Sequence, residues 1–317
     1  MNQAAPFSGG LSMKNRKLGQ YTWYCYLVPA LFFYAVFMAW PLADSIRLSL
    51  YSASGPAGAG RTFVGFDNYI RLFTDPDTSA RFWGAFGNTW YFFFINMVCQ
   101  NVLAIVFALM LSERTMKGSR VYQTIIFIPV TLAILVTGYL WKLILNPQWG
   151  AIAQILTKLD LKELVKPWLG DERYALTTVA LVSSWQWVGI PAMMFFAGLQ
   201  NIPDELLEAA EIDGASKLGK ILSIRLPLIK PVIGIVTILT FVNNFNAFDV
   251  VFAMENANGA PSYSTDLIGT LFYRVGIAGQ HPVGIPNPGL GSAIATSTFI
   301  MLMAGVVGIL GLTKSEK

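Results

Sequence analysis

The chain has 317 residues, of which 54% are hydrophobic and 13% charged, with a mean hydropathy of +0.53 and a formal net charge of +4. Soluble domains carry about 25% charged residues, so roughly half of the usual water-facing surface is missing and much of the chain must face something else. The small, dispersed positive charge argues against a nucleic-acid partner, the two cysteines (Cys25 and Cys99, both in apolar stretches) against a disulfide framework, and the single histidine, His281, against most histidine-based metal sites.

In chain order, Lys14, Arg16 and Lys17 precede a long apolar run. A cleavable signal peptide opens the same way, but this run continues past Trp40 without a small-residue cleavage site, so a retained first span is expected. Crossing the hydrocarbon core takes about 20 apolar residues. Six stretches meet that length: 23–48, 89–111, 121–145, 174–199, 228–253 and 290–312. Only helices or closed barrels satisfy every backbone group in lipid, and the short alternating segments of a barrel are missing from the sequence. The expectation is an all-α polytopic membrane protein with six transmembrane helices, one permease-sized domain over 1–317 and a short amino-terminal tail over 1–20.

Twelve of the 22 cations fall in segments that share one side if the amino terminus is inside: Lys14, Arg16, Lys17, Arg114, Lys117, Arg120, Lys217, Lys220, Arg225, Lys230, Lys314 and Lys317. The positive-inside bias therefore places both termini in the cytoplasm. Between the first two spans, 51–87 suits a loop followed by a short interfacial helix. The stretch 151–165 spaces Ile152, Ile155, Leu156, Leu159 and Leu164 for a helix lying along the outer membrane surface.

The stretch between spans four and five, about 200–226, is more structured than a plain connection requires. Pro203 suits a first helical turn, Asp204 and Glu205 follow at the positive helix end, and Gly214 marks a stop. A second short helix over 217–224 leads to Pro227. The first helix sets Leu206, Ala209, Ala210 and Asp213 at i, i+3, i+4 and i+7. That flat face suits either close approach by another protein or rest on the inner leaflet.

Polar residues deep in a span are costly and face an interior or a pathway. Span four carries Ser183, Ser184, Trp185, Gln186 and Trp187, and span five carries Asn243, Asn244, Asn246 and Asp249. At about 1.5 Å per residue the two clusters meet near mid-depth. Asn243, Asn246 and Asp249 recur every three residues, as one helical stripe. Amides beside indole rings suit a sugar, whose polar edges need hydrogen bonds and whose apolar faces need aromatic cover. Interhelical hydrogen bonding is the other use of such residues. Asn96 and Gln100, an i, i+4 pair in span two, are read as helix packing, and Pro191 as a kink in span four.

The run Glu208-Ala-Ala-x-x-Asp213-Gly214-Ala215, followed by Ile224-x-Leu226-Pro227-x-x-x-Pro231, resembles the coupling loop of ABC importer permeases. Ala197-Gly198-Leu199-Gln200-x-Ile202-Pro203-x-Glu205-Leu206, Phe63-Val64-Gly65-Phe66-Asp67-Asn68-Tyr69, Pro167-Trp168-Leu169 and Pro29-Ala30-Leu31 with Pro41 resemble the carbohydrate-uptake group, specifically the larger membrane subunit of maltose-type importers. The resemblance implies a non-enzymatic transport subunit in a bacterial inner membrane, with Glu208, Ala209, Ala210, Asp213, Gly214 and Ala215 coupling to a cytoplasmic ABC ATPase dimer. ATP and magnesium would be bound by that ATPase, and this chain would carry no cofactor. A second, different permease and an extracytoplasmic solute-binding protein complete the implied assembly, with lipid around it and a small solute as cargo. Asn243 and Asn246 fall where related sugar permeases carry site residues, with Asn244, Gln186, Trp185, Trp187 and Asp249 as further candidates. The alternative is a secondary carrier or channel for a small polar solute, yet no selectivity filter or set of mid-depth carboxylates is visible. A membrane enzyme would need a nucleophile and base or a metal cluster.

Overall fold

The computed structural model describes residues 26–52, 60–113, 116–279 and 284–313. Lys14, Arg16, Lys17, Cys25, Arg114, His281, Lys314 and Lys317 lie outside the described residues. The chain is mostly helical, with one small antiparallel hairpin pairing β1 (Tyr51–Ser52) with β2 (Thr62–Phe63). That short pairing lies within the expected first loop and is consistent with the all-α class.

Three helices are long and apolar enough to cross a membrane by themselves: α1 (Tyr26–Leu48), α3 (Pro76–Leu111) and α14 (Pro288–Thr313). Three more spans exist only if bent pairs are each counted as one. These pairs are α4 (Ser119–Thr131) with α5 (Ile134–Ile144), bent by 95°; α7 (Glu172–Trp187) with α8 (Gly189–Gln200), bent by 46°; and α10 (Lys217–Leu228) with α11 (Lys230–Phe245), bent by 68°. The remaining helices are short: α2 (Asp67–Thr74), α6 (Ala151–Lys158), α9 (Asp204–Ile212), α12 (Asp249–Glu255) and α13 (Ile268–Ala278).

Each break has a local cause. Pro129 lies inside α4, and Leu132 and Ala133 beyond it are extended. The carbonyl of Leu132, freed by that break, accepts a hydrogen bond from Gln186 Nε2 at 3.0 Å. Broken helices survive in a membrane only when such groups are satisfied inside the protein. Pro191 cannot donate to the carbonyl of Trp187, so the chain bends at Val188 as its sequence suggests. Gly189 lets the bend pack closely on α4, because a Cβ there would lie 2.8 Å from the carbonyl oxygen of Ile126.

Helix α3 is the spine. Its 36 residues would reach about 54 Å, well beyond a hydrocarbon core of about 30 Å. It therefore starts earlier than the expected second span. Asp75 caps it through Thr78, and Pro76 occupies the first turn. Its side chains enter all three apolar clusters. Phe82 and Ala85 meet Phe241, Phe245, Ile268 and Ile294. Phe92 meets Val179, Val251 and Met254, and Ala104 and Ala108 meet Ala192, Phe195 and Ile229. Small residues let the second half of α3 approach α8 closely, which is how helices gain packing energy where lipid is as apolar as the interface. Helix α1 packs on α14 through its last residues and otherwise presents apolar side chains outward.

Candidate functional site

The polar residues of the bent spans converge on a cavity of about 430 Å³. Its wall includes Gln100 from α3, Ser183, Trp187, Ile190 and Pro191 from the α7–α8 bend, and Thr240, Asn243, Asn244, Asn246, Phe248 and Asp249. Five of the seven expected solute residues therefore share one space: Asn243, Asn244, Asn246, Trp187 and Asp249.

The route by which they arrive differs from the sequence expectation. Span five is not one helix through residue 253. Helix α11 ends at Phe245, Asn246 caps it with φ −93° and ψ 3°, and Asp249 opens the separate α12. Asn243, Asn246 and Asp249 thus form no continuous helical stripe. The non-helical step Asn246–Phe248 brings them to the same wall instead. Gly269 backs that step, since a Cβ there would lie 2.5 Å from the carbonyl oxygen of Ala247. Asn243, Asn246 and Asp249 are exposed within the single chain, whereas Asn244 is buried and donates to the Thr240 carbonyl at 2.6 Å. Polar groups with no partner among the described residues are those able to serve a guest molecule.

Gln186 and Trp185 do not line the cavity. Gln186 is 1% exposed and spends its amide on the α4–α5 break, while its Oε1 has no partner among the described residues. Trp185 is 42% exposed and sets its ring edge-on to Trp141, with centroids 5.4 Å apart. On a helix, three adjacent residues project about 100° apart, so only Trp187 of the three reaches the cavity.

Span two also departs from the expected pairing. Asn96–Gln100 forms a π-helical turn, whose extra residue shifts the register. Asn96 accepts from Ser184 Oγ at 3.0 Å, a packing role. Gln100 turns to the cavity instead. Next to it, Asn101 donates to Thr240 Oγ1 at 3.1 Å, tying α3 to α11 beside the cavity wall. The π turn leaves no mark in a sequence, which is why Gln100 is not distinguishable from Asn96 there.

Beyond the other end of α11 stands the helix-turn-helix of α9 and α10. Gly214 has φ +76°, the left-handed conformation that favours glycine. Ala215 N donates to Ala210 O at 2.9 Å and Gly214 N to Glu211 O at 3.1 Å, the paired bonds of a Schellman stop. Ser216 caps α10 by accepting from Gly219 N. Of the face expected to dock, Leu206, Ala209 and Asp213 are exposed, but Ala210 is 9% exposed and faces the rest of the chain. Leu207, one turn before it, packs with the α3–α8 cluster, and the two define the inward side of α9. Glu208, Gly214 and Ala215 lie on the exposed surface. Ile212, 87% exposed, stands out there with Leu218 and Leu222. Sequence spacing hides Ile212 because it falls one residue away from the stripe ending at Asp213.

Residues 100–313 match the family model of the binding-protein-dependent transport system inner membrane component. The chain is 33% identical over 282 residues to the probable ABC transporter permease protein YurN of Bacillus subtilis, covering 89% of this chain and 92% of that protein. It is 30% identical over 295 residues to the trehalose/maltose transport system permease protein MalF of Thermococcus litoralis, covering 93% and 92%. A chain of a bacterial ABC transporter solved in complex with an alginate pentasaccharide-bound periplasmic protein shares the fold, with a TM-score of 0.78 at 20% identity over 95% of this chain and 97% of that one. The chain belongs to the family of binding-protein-dependent transport system inner membrane components, and it is a permease of an ABC importer.

Proposed function

We propose that this permease passes a sugar or a related polyhydroxylated solute through the cavity of Gln100, Asn243, Asn246 and Asp249 by alternating access. The observation that carries the reading is the composition of that wall. Amide and carboxylate groups without partners among the described residues sit beside the rings of Trp187, Phe248 and Phe92, and a volume of about 430 Å³ falls in the range of small-molecule sites, about 300–1,000 Å³. The names of the relatives, which include a trehalose/maltose and an arabinooligosaccharide permease, support the solute class. Family membership does not favour a secondary carrier or channel.

Alternating access needs elements that bend about fixed points. The 46° bend at Val188 and the step Asn246–Phe248 both border the cavity. Power comes from an ABC ATPase dimer, which binds ATP and magnesium and seats on the exposed side of α9 and α10, with Glu208, Ala209, Asp213, Gly214 and Ala215 at the contact. A second, different permease completes the passage, and an extracytoplasmic binding protein delivers the solute. Both termini and the helix-turn-helix face the cytoplasm of a bacterial inner membrane.

The test is Asn243→Leu combined with Asn246→Leu, which keeps the segment apolar and insertable. Each lost hydrogen bond costs about 1–3 kcal/mol, so uptake should fall about 5- to 150-fold for each amide removed while the complex assembles and still hydrolyses ATP. Uptake at the wild-type rate, or loss of assembly, would assign the amides to packing. Orientation is checked separately in intact cells: Lys117→Cys should resist a membrane-impermeant thiol reagent and Ala80→Cys should react.

A further inference from the structure

The helix-turn-helix joins the bundle by chain continuity at both its ends, through Asn201–Pro203 before α9 and through the 68° bend at Ile229 after α10. Leu207 also rests α9 on the α3–α8 cluster, and Ala210 faces inward with it. A connection held by bends and apolar packing can still slide or pivot when pushed. A polar attachment crosses the sequence. Arg225 Nη1 donates to Glu113 Oε1 at 3.0 Å, joining the last turns of α10 to the chain just beyond α3. The Arg225 side chain is 15% exposed and that of Glu113 48%, so the pair is screened less than one held wholly in solvent. Arg225 closes a π-helical stretch, Ile221–Arg225, where the added residue per turn resets which side chains face inward. Within the helix-turn-helix, Lys220 pairs with Glu211 at 3.2 Å, which holds its two arms together as one piece.

The receiving end leads straight to the cavity. Glu113 lies 13 residues beyond Gln100, about 20 Å along a helix. Over that length α3 is packed on α8 through Ala104, Ala108 and Ala192. Helix α8 starts at the bend whose Ile190 and Pro191 line the cavity, and Asn101 is tied to Thr240 on its opposite wall. The packing reached from the end of α3 thus borders the solute space on three sides, at Gln100, at Ile190 and Pro191, and at Thr240.

We propose that Glu113 and Arg225 are positioning residues that carry the ATPase stroke from the helix-turn-helix to the cavity, the pair acting as a strut between α10 and α3. This rests on the reading of α9 and α10 as the ATPase seat. The strut works by geometry and charge, so reversing both charges should preserve it while reversing one should break it.

The experiment uses the assembled complex, purified through a tag on this chain, with Glu113→Arg, with Arg225→Glu, and with both together. Each single reversal should lower the maximal rate of uptake about tenfold, within the 5- to 150-fold range of coupling energies between sites. The concentration of loaded binding protein giving half-maximal uptake should stay unchanged, the ATPase should copurify, and the yield should remain normal. The double reversal should return uptake to within about threefold of wild type, since only the geometry of the pair is altered. Wild-type uptake in the singles overturns the strut, as does a double variant no better than the singles. So does a pattern in which yield falls in the singles and returns in the double, because the pair would then serve folding. Failure of the ATPase to copurify even with the wild-type chain would instead overturn the docking reading beneath it.

Discussion

At one end of α11, the connection from α12 to α13 hides its charges. Arg274 is 0% exposed and pairs with both carboxylate oxygens of Asp266, and its Nη1 also donates to the Ala257 carbonyl at 2.9 Å. Thr270 Oγ1 donates to Asp266 at 2.7 Å, Asn88 Nδ2 donates to the carbonyls of Tyr263 and Asp266, and Arg81 lies 3.4 Å above the Tyr263 ring. At the other end of α11 the helix-turn-helix holds its arms by a partly exposed ion pair and leaves Ile212, Leu218 and Leu222 outward. One region is largely satisfied by its own chain, with Arg274 Nε and Ser264 Oγ lacking a partner among the described residues. The other carries apolar surface that its own chain does not cover. A buried, largely partnered network rigidifies, whereas exposed apolar patches mark contact with something outside the chain. The difference separates a network closed within the chain from a surface left open to whatever lies outside it.

The largest effect should come from breaking the closed network. Arg274→Leu leaves Asp266 buried beside Thr270 without its counter-charge, and breaking one side of such a pair costs about 3–5 kcal/mol. The purified chain should lose its compact fold in detergent, measured by heat-induced aggregation and by proteolysis within 256–267. Replacing both partners, as Asp266→Leu with Arg274→Leu, should recover part of the loss. A single Arg274→Leu variant as heat-stable as wild type would mean that the network is not what holds this end together.

A smaller effect is expected at the other end, and it should split by side chain. Ala209 and Ala210 are neighbours in one motif, yet one is exposed and the other 9% exposed. Ala209→Trp should leave the isolated chain unaltered in stability and remove the ATPase from the purified complex. Ala210→Trp should destabilise the chain itself by about 1–3 kcal/mol, the usual cost of overpacking a filled site. Equal behaviour of the two variants would show that burial in the single chain says nothing about how this surface is used.

Much of this was legible in the sequence. Apolar length marked the spans, Gly214 and Pro203 marked the ends of α9, and polar residues deep in apolar runs marked the cavity. Illegible features share a physical origin, because they depend on where helices break rather than on which residues they contain. The end of α11 at Phe245 follows from no proline or glycine in 239–249. The step after it packs on Gly269, more than 20 residues away in the chain. The role of Gln186 depends on a carbonyl freed 54 residues earlier. Asp266 and Arg274 looked ordinary because nothing in an eight-residue spacing says that both are buried together. Side-chain direction around a break is a tertiary property, and periodicity presumes an unbroken helix.

The smallest effect sharpens the comparison at the network's edge, where Glu255 ends α12. It is 8% exposed and its Oε1 has no partner among the described residues. Burial pushes its carboxyl up from 4.5 to about 7, against the opposing pull of Lys142. A raised folded-state value means that the fold favours the protonated side chain. That contribution is full below the ordinary value near 4.5 and is lost as the pH rises through about 7. Glu255→Gln stays neutral at every pH and keeps the shape. Its melting temperature in detergent should match wild type near pH 4, pull ahead between pH 5 and 7, and hold a constant lead above pH 8. A lead that is independent of pH would point to packing or hydrogen bonding instead of titration. A variant less stable than wild type above pH 8 would mean that the ionised carboxylate is held by Lys142 strongly enough to outweigh its burial, and the network would then extend to α5.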